Sequence, residues 1–190
     1  MLGLSWLMPW GLKRFHESGQ THFVTFSCYD RRPLFLTPTS KQTFETALER
    51  VRHRFFLCVY GYVVMPEHVH LLLGEPERET LADALKSLKQ GVSRRLIGEA
   101  EHFWQKRYYD FNVRNGAQFS EKLRYIHRNP VKRGLCERPE DWEWGSFLHY
   151  ATGQEGRVEI ESEWTARRRK RAAGGLAPAI GLPHSSQQKA

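Results

Sequence analysis

Two histidines separated by one residue offer the most specific chemistry in this sequence. His68 and His70 lie in the stretch MPEHVHLLL, residues 65–73. Imidazole is a common metal ligand, and two imidazoles two positions apart on a strand project from the same side of it. The pair therefore predicts a metal site. The alternative is two half-exposed histidines on a sheet face, which the pair alone does not exclude.

The hairpin that must carry this pair is predicted over residues 57–74. An apolar run precedes the histidines, a Pro-Glu pair follows it, and a second apolar run of strand length completes the stretch. Two such runs joined by turn-forming residues are typical of a β-hairpin. Because side chains alternate along a strand, His68, His70 and Leu72 share one face. The opposite face, directed into a core, carries Val69, Leu71 and Leu73.

A second chemical group follows on a predicted helix. Tyr125 and Asn129 are four residues apart, so they share a helix face, one turn from each other. The cations around them are Lys122, Arg124, Arg128, Lys132 and Arg133. A tyrosine oxygen in such surroundings can attack a phosphodiester and become phosphotyrosine. Because the ordinary pKa of tyrosine is about 10, the attack needs a divalent metal to offset the developing charge. The alternative is that Tyr125 is an ordinary half-buried aromatic residue.

Two roles are open to Asn129, and they exclude each other. Pro130 follows it, and the residue before a proline disfavours the helical conformation, so the helix is predicted to cover about residues 118–128. Asn129 then caps a short following turn, with Pro130 at its first position, or it binds the metal ion. Both roles use the same side-chain oxygen.

The remaining periodicity predicts an α+β fold. Alternating apolar residues indicate two strands beside the hairpin, over residues 21–29 and 108–114. Helical spacing indicates two further helices, over residues 38–55 and 81–96. Thr39 or Ser40 is expected to cap the first of them. The order β-α-β-β-α-β-α is that of a ferredoxin-like antiparallel sheet with helices on one face plus a C-terminal catalytic helix.

Length, charge and cysteine content bound the class of protein. The 190 residues suit one domain, predicted over residues 8–150, followed by a basic, mobile tail over 151–190 with five consecutive cations at 167–171. A net charge of +8 and an isoelectric point of about 9.6 favour a polyanionic partner such as nucleic acid, although a merely basic protein has the same charge. Three scattered cysteines without a CxxC pair argue against a zinc ribbon or a disulfide framework and suit a reducing cytoplasm.

The sequence also predicts that the protein has no membrane segment. No run of about 20 apolar residues is present, which is the length that a transmembrane helix needs. The apolar N-terminus, residues 1–10, lacks the basic region of a signal peptide. Met8 is an alternative start.

Two stretches taken together resemble a known family. Residues 62–72, YVVMPEHVHLL, resemble the HUH motif of single-tyrosine transposases, and residues 125–135, YIHRNPVKRGL, resemble their catalytic-helix motif. Further similarity to the REP-associated tyrosine transposases, the domesticated branch, lies in residues 19–26, 103–109 and 141–147. The resemblance covers about residues 8–150. The two central motifs, in this order and spacing, are specific.

This resemblance implies a mechanism. His68, His70 and Asn129 would bind one Mg²⁺ or Mn²⁺ ion. Tyr125 would attack a phosphate of single-stranded DNA and leave a 5′-phosphotyrosine and a free 3′-hydroxyl, and reversal with another 3′-hydroxyl would join strands. The expected substrates are hairpins of repeated extragenic palindromes (REP) with a short single-stranded tag beside the stem. The resemblance thus implies a metal-dependent single-stranded DNA transesterase, an endonuclease and ligase of the HUH type.

The charge pattern and the resemblance together suggest which residues contact DNA. The predicted contacts are Arg14, Arg31, Arg32, Arg94, Arg95, Trp104, Lys106, Arg107, Lys122, Arg128 and Lys132. Trp104 either stacks on a base or belongs to the core. Relatives of this branch are commonly monomers, so we expect a monomer, associated with the nucleoid in the cytoplasm.

Two other functions remain open. A protein that has kept the fold and lost the chemistry would bind DNA hairpins without cleaving them. A zinc hydrolase would use the histidine pair with water, but the sequence lacks a third histidine or acidic ligand at a typical spacing. Glu67 stands where many relatives carry asparagine, and it either adds negative charge near the metal or faces solvent.

Overall fold

A computed structural model describes residues 20–98 and 101–174 of the chain. Arg14, the alternative start at Met8 and the residues after 174 lie outside the described residues. Among the described residues, no helix has the length and apolar character needed to cross a membrane.

The centre of the fold is one antiparallel sheet. Its four strands are β1 (Thr21–Ser27), β2 (Val59–Val64), β3 (His68–Gly74) and β4 (Tyr109–Val113), in the order β2-β3-β1-β4. The register of β1 and β3 places Ser27 opposite His68 and Thr25 opposite His70. The predicted hairpin and the two flanking strands are therefore present, and β1 ends two residues earlier than predicted.

The three predicted helices are present in the predicted order, as α1 (Pro38–Phe55), α2 (Leu81–Leu96) and α3 (Gly116–Lys132). Two helices that were not predicted follow them, α4 (Phe147–Thr152) and α5 (Glu163–Gly174). The cap of α1 is Thr37, whose hydroxyl accepts the backbone N–H of Ser40, so the prediction of Thr39 or Ser40 was wrong. Pro38 explains the difference, because a proline is favoured at the first helical position, directly after the cap.

The helices occupy both faces of the sheet. One face buries Val69, Leu71 and Leu73 against α1 and α2. The other face buries Leu72 against the apolar side of α3, which includes Leu123 and Ile126. This arrangement is the predicted α+β, ferredoxin-like fold, with two helices on one face and the tyrosine helix on the other.

A glycine lets α3 approach the sheet closely. Gly61 lies at an irregularity in the pairing of β2 with β3, and a Cβ atom there would come within 2.6 Å of the Leu123 side chain. Such a distance is shorter than any van der Waals contact, so a larger residue would force the Leu123 side chain to move. The close packing of α3 on β2 therefore depends on Gly61.

Helix α3 does not end at residue 128, as its proline predicted. It continues through Pro130 to Lys132, and the backbone N–H of Arg133 bonds to the carbonyl of Asn129. Asn129 and Pro130 are both buried, so packing compensates for the hydrogen bond that proline cannot make. Asn129 is therefore not the cap of a following turn. The residue that caps α3 is Asn115, whose side-chain oxygen accepts the N–H of Gln118.

The chain after residue 151 contributes to the fold. Val158 and Ile160 are buried in the same core as α1 and α2, and the N–H of Glu161 bonds to the carbonyl of Val59. Helix α5 contains the predicted basic run. The part of the predicted tail that the structure describes is thus packed and helical, whereas the boundary of the domain stays a prediction.

Candidate metal and tyrosine site

The two histidines of β3 are buried and face each other. The Nε2 atoms of His68 and His70 are 3.0 Å apart. Two ligands at a right angle on an octahedral ion with bonds of about 2.1 Å lie about 3 Å apart. The spacing of the two nitrogens therefore suits neighbouring positions on one octahedral cation.

Oxygen atoms lie beside the other ring nitrogens of this pair. Nδ1 of His70 is 2.6 Å from the hydroxyl of Thr25, which the strand register places opposite it. Nδ1 of His68 is 3.1 Å from the carboxylate of Glu67. When each Nδ1 donates its proton to these oxygens, both Nε2 atoms are free to bind a metal ion.

Burial keeps both imidazoles neutral. Burial and, to a smaller extent, the neighbouring His68 together lower the pKa of His70 to about 3. Burial also lowers the pKa of His68, although the carboxylate of Glu67 opposes the shift. Neutral imidazole is the form that binds metal ions, so the pair is in its ligand form at neutral pH.

Asn129 brings its side-chain amide to the same place from α3. The residue is only 5% exposed, and its Nδ2 lies 3.3 Å from Nε2 of His70. Its Oδ1 is buried and has no hydrogen-bond partner among the described residues. A buried acceptor without a partner is costly, and a cation would satisfy it.

The donor set fits a hard or intermediate divalent cation. Two imidazoles and one amide oxygen suit Mn²⁺ or Mg²⁺, which also take water and phosphate oxygens. In the described part of the chain, no group of three or more His, Cys, Asp or Glu side chains gathers at one point. The Cys- and His-rich set of a structural zinc site is therefore not formed by these residues.

Tyr125 lies beside the histidines. Its ring contacts the ring of His70 edge-on at a centroid distance of 5.1 Å, and Phe23 lies 5.8 Å away on the other side. The residue is 39% exposed, and its hydroxyl has no hydrogen-bond partner within the described ranges. The Nζ of Lys132 is 5.7 Å from the ring. The structure thus brings Tyr125 and Asn129 to the histidine pair, and the phenol is open to a ligand from solvent.

Several predicted DNA contacts lie at the same end of the sheet as His68. Arg31 and Arg32 follow β1 and are exposed, and the charge of Arg31 lowers the pKa of His68. Lys106 and Arg107 are exposed and precede β4. They directly follow Gln105, whose N–H bonds to the carbonyl of Ser27 at the end of β1. Positive charge therefore lies at the end of the sheet where His68 begins β3.

The tyrosine helix adds further cations. Arg128 is exposed on α3. Lys122 is partly buried over the rings of Phe23 and Phe111 and pairs with Glu121 at 3.1 Å. Part of the Lys122 charge is thus already used within the chain.

Three predicted contacts lie away from this site. Arg94 and Arg95 belong to α2, which covers the opposite face of the sheet. The indole of Trp104 contacts the rings of Phe26 and Phe35, and its N–H donates to the carbonyl of Lys89. Packing therefore accounts for Trp104, which was one of the two alternatives.

The basic run of α5 is partly neutralised. Arg167 pairs with Glu163 at 3.1 Å, Arg168 with Glu155 at 2.7 Å and Arg169 with Glu161 at 2.9 Å. Lys170 and Arg171 remain exposed. The five cations are therefore not equally available to a polyanion.

The pairing of Thr25 with His70 was not predicted. The alternation of β1 places the Thr25 side chain on one face, but the register that brings it to His70 depends on the pairing of distant strands. The contact of Arg133 with Glu67, at 2.6 Å, was also missed. The sequence did contain a signal for this contact: Arg133 lies four residues after Asn129, so the two residues are on the same side of the helix end.

Comparisons with known proteins agree with this geometry. The model of the IS200-like transposase family matches residues 16–129. The REP-associated tyrosine transposase of Escherichia coli K12 is 28% identical over 137 residues, which cover 71% of this chain and 81% of that protein. A Haemophilus influenzae protein, assigned provisionally to the same group, is 28% identical over 148 residues, covering 71% of this chain and 84% of its own.

A solved structure is also similar. It contains a REP-associated tyrosine transposase bound to a REP hairpin, and it superimposes with a TM-score of 0.63 at 25% identity, covering 76% of this chain and 87% of that one. Because the family model matches more than half of the chain and the fold agrees, the chain belongs to the IS200-like transposases and is similar within them to the REP-associated tyrosine transposases.

Proposed function

We propose that this transposase is a metal-dependent single-stranded DNA transesterase that cleaves and rejoins DNA at REP hairpins. The observation that carries the proposal is the position of Tyr125, whose open phenol lies beside His70 and one helical turn from Asn129. A nucleophile, a set of metal ligands and surrounding cations meet at one solvent-facing point. Phosphoryl transfer needs these three components.

The proposed reaction exchanges one phosphodiester for another. The Tyr125 oxygen forms a bond to phosphorus while the bond from phosphorus to the 3′ oxygen of the preceding nucleotide breaks. The phenol loses its proton, and the leaving 3′ oxygen gains one. A phosphotyrosine keeps the energy of the broken bond, so attack by a second 3′-hydroxyl restores Tyr125 and joins strands.

The residues around Tyr125 have separate tasks in this reaction. His68, His70 and the side-chain oxygen of Asn129 would hold Mg²⁺ or Mn²⁺, which supplies positive charge to the phosphate oxygens when it is bound. Thr25 orients the ring of His70. Lys132, beside the Tyr125 ring, adds positive charge where the phosphate would lie.

The proposed substrate class rests on the relative that binds a REP hairpin. At the end of the sheet where His68 begins β3, exposed side chains would contact the DNA backbone: Arg31, Arg32, Lys106 and Arg107. Such contacts position the strand without reading its bases. Binding at REP hairpins would then weaken steeply with added salt.

A denaturing gel tests the proposal. The wild type is incubated with single-stranded hairpin DNA from beside its gene, with Mn²⁺ or with chelator. We expect a slowly migrating covalent adduct only when Mn²⁺ is present, and none with Tyr125→Phe. The matched control is Tyr108→Phe, because Tyr108 is also 39% exposed and lies just before β4. That control is expected to form the adduct.

Other outcomes would favour the competing functions. Tight binding of several hairpins without any adduct would indicate a DNA-binding protein that has lost the chemistry. Cleavage that persists in Tyr125→Phe, with no protein attached to the DNA, would indicate water as the nucleophile and a hydrolase.

A further inference from the structure

Glu67 lies between the histidine strand and the end of the tyrosine helix. Its carboxylate oxygen Oε1 is 3.1 Å from Nδ1 of His68 and 2.6 Å from a guanidinium nitrogen of Arg133. Its side chain is only 13% exposed, although Glu67 occupies a turn. Its carbonyl also accepts the N–H of Cys28, so the backbone is fixed as well. The sequence left open whether this residue faces solvent, and the structure places it against His68.

We infer that Glu67 and Arg133 are a positioning pair, which aims Nε2 of His68 at the cation and fastens the end of α3 to the histidine strand. This inference rests on the proposed function, since it concerns the same metal site. Neither residue touches the phosphate or the cation in this role. Both act through His68 and through the helix that carries Tyr125 and Asn129.

The carboxylate is suited to orient His68. An imidazole that donates Nδ1–H to a carboxylate has its tautomer fixed, with the Nε2 lone pair available and more basic. Partners of this kind change metal affinity by about 10- to 100-fold in other metal sites. Thr25 has the corresponding position at His70, but its hydroxyl carries no charge. The two ligands therefore have unequal support, and the charged partner belongs to His68.

Arg133 explains why the carboxylate stays in this position. A free carboxylate beside two imidazoles is itself a good ligand for a divalent cation. The guanidinium group holds Oε1 at hydrogen-bond distance, which keeps the carboxylate in contact with Nδ1 of His68. Arg133 is also the residue directly after α3, so the same bond joins the helix end to the turn before β3.

The burial of Glu67 sets this pair apart from surface ion pairs. Exposed ion pairs contribute little to stability, and Arg133 itself is half exposed. A second pair in the chain, Glu163 with Arg167, has similar exposure, with side chains 16% and 66% exposed, but it lies on α5 and contacts no histidine. It therefore serves as a matched control for the loss of one carboxylate.

Binding of Mn²⁺ tests the inference directly. The free Mn²⁺ signal in electron paramagnetic resonance gives the affinity without DNA, for Glu67→Ala, Glu67→Gln, Arg133→Gln and the control Glu163→Gln. We expect affinity to fall about 10- to 100-fold for Glu67→Ala. Glu67→Gln keeps an acceptor for His68 and is expected to recover part of that loss. Glu163→Gln is expected to bind like the wild type.

A double variant tests whether the two residues act together. We expect Arg133→Gln to weaken Mn²⁺ binding in the wild-type background and to have no effect in Glu67→Ala, because Arg133 acts through the carboxylate. Wild-type affinity in Glu67→Ala, with unchanged circular dichroism, would overturn the inference. So would equal losses in Glu67→Ala and Glu163→Gln. If the wild type itself binds no Mn²⁺ and forms no adduct, that result contradicts the proposed function, and the inference that rests on it is overturned as well.

Discussion

The histidines of β3 form one group, and the histidines of α3 and α4 form another. The two groups differ in the hydrogen bonds of their ring nitrogens. His68 and His70 form the first group, and His127 and His149 form the second. Burial lowers the pKa of all four, to about 3 for both His70 and His127. His68, His70 and His149 are buried and His127 is partly buried, so neither burial nor pKa separates the two groups.

Their hydrogen bonds separate them. Nε2 of His127 is 2.9 Å from the hydroxyl of Ser146, and His149 lies between the carbonyl of Gln154 and the hydroxyl of Ser162. In the first group, by contrast, the two Nε2 atoms lie 3.0 Å apart beside the side-chain amide of Asn129, whose Oδ1 has no partner among the described residues. A buried histidine becomes a candidate ligand through bonding capacity that the fold leaves unused. Burial does not distinguish it from a structural histidine.

One of the two largest expected effects is the loss of metal-induced stability in His70→Ala. A ligand at 100 times its dissociation constant stabilises a folded protein by about 2.7 kcal/mol. We expect Mn²⁺ to raise the free energy of unfolding of the wild type by about this amount and to have no effect on His70→Ala. Urea unfolding with and without Mn²⁺ measures it. An equal gain in the variant would remove His70 from the metal site.

The second histidine group should give the opposite pattern. His127 contacts the rings of Phe147 and Tyr150, so His127→Ala leaves a cavity and removes the partner of Ser146. We expect a loss of about 2–4 kcal/mol in the free energy of unfolding without metal. The gain on adding Mn²⁺ should equal that of the wild type. A changed metal response would mean that the two groups are not independent.

Two asparagines of α3 sharpen the same distinction. Asn129→Ala should weaken Mn²⁺ binding by about tenfold because the side-chain oxygen is removed, and it should cost about 1 kcal/mol of stability through the lost contact of Nδ2 with His70. Asn115→Ala should cost about 1 kcal/mol of stability through the lost helix cap and leave Mn²⁺ binding unchanged. Titration calorimetry and urea unfolding of both variants test the pair. Reversed results would show that the roles of Asn129 and Asn115 are wrongly assigned.

The smallest expected effect is a pH dependence. Because the pKa of His127 falls from 6.5 in the unfolded chain to about 3 in the fold, only the unfolded chain gains this proton as the pH drops through that window. The stability contributed by a neutral His127 is therefore complete above pH 6.5 and is lost below it. His127→Gln removes this contribution, so its deficit relative to the wild type should shrink from pH 7 to pH 5. A constant deficit would contradict the shifted pKa.

Local patterns predicted the order of the elements, since alternation and helical spacing are properties of neighbouring residues. They failed at positions decided by packing. Pro130 was expected to end α3, but burial of the helix end outweighs the preference of a single proline. Val158 and Ile160 lie in the stretch after Ala151 that was assigned to a tail for its polar character, and both are buried in the core.

The sequence predicted which residues meet at the candidate site, and it missed the contacts that support them. His68, His70, Tyr125 and Asn129 belong to two short motifs, which a single sequence displays directly. The bonds from Thr25 and Arg133 join segments that are far apart in the chain. Only the strand register and the end of α3 determine those contacts, and neither follows from residue type.

Later parts of the chain cover the outer edge of β2, so a shortened chain would expose part of that edge. The N–H of Ser146 bonds to the carbonyl of Tyr62, and the N–H of Glu161 bonds to the carbonyl of Val59. A protein cut after residue 150 would keep the first bond and lose the second, and it would uncover the apolar surface under Val158 and Ile160. Exposed strand edges beside apolar surface favour association between copies. Such a fragment should therefore aggregate, although it keeps all the residues of the candidate metal site.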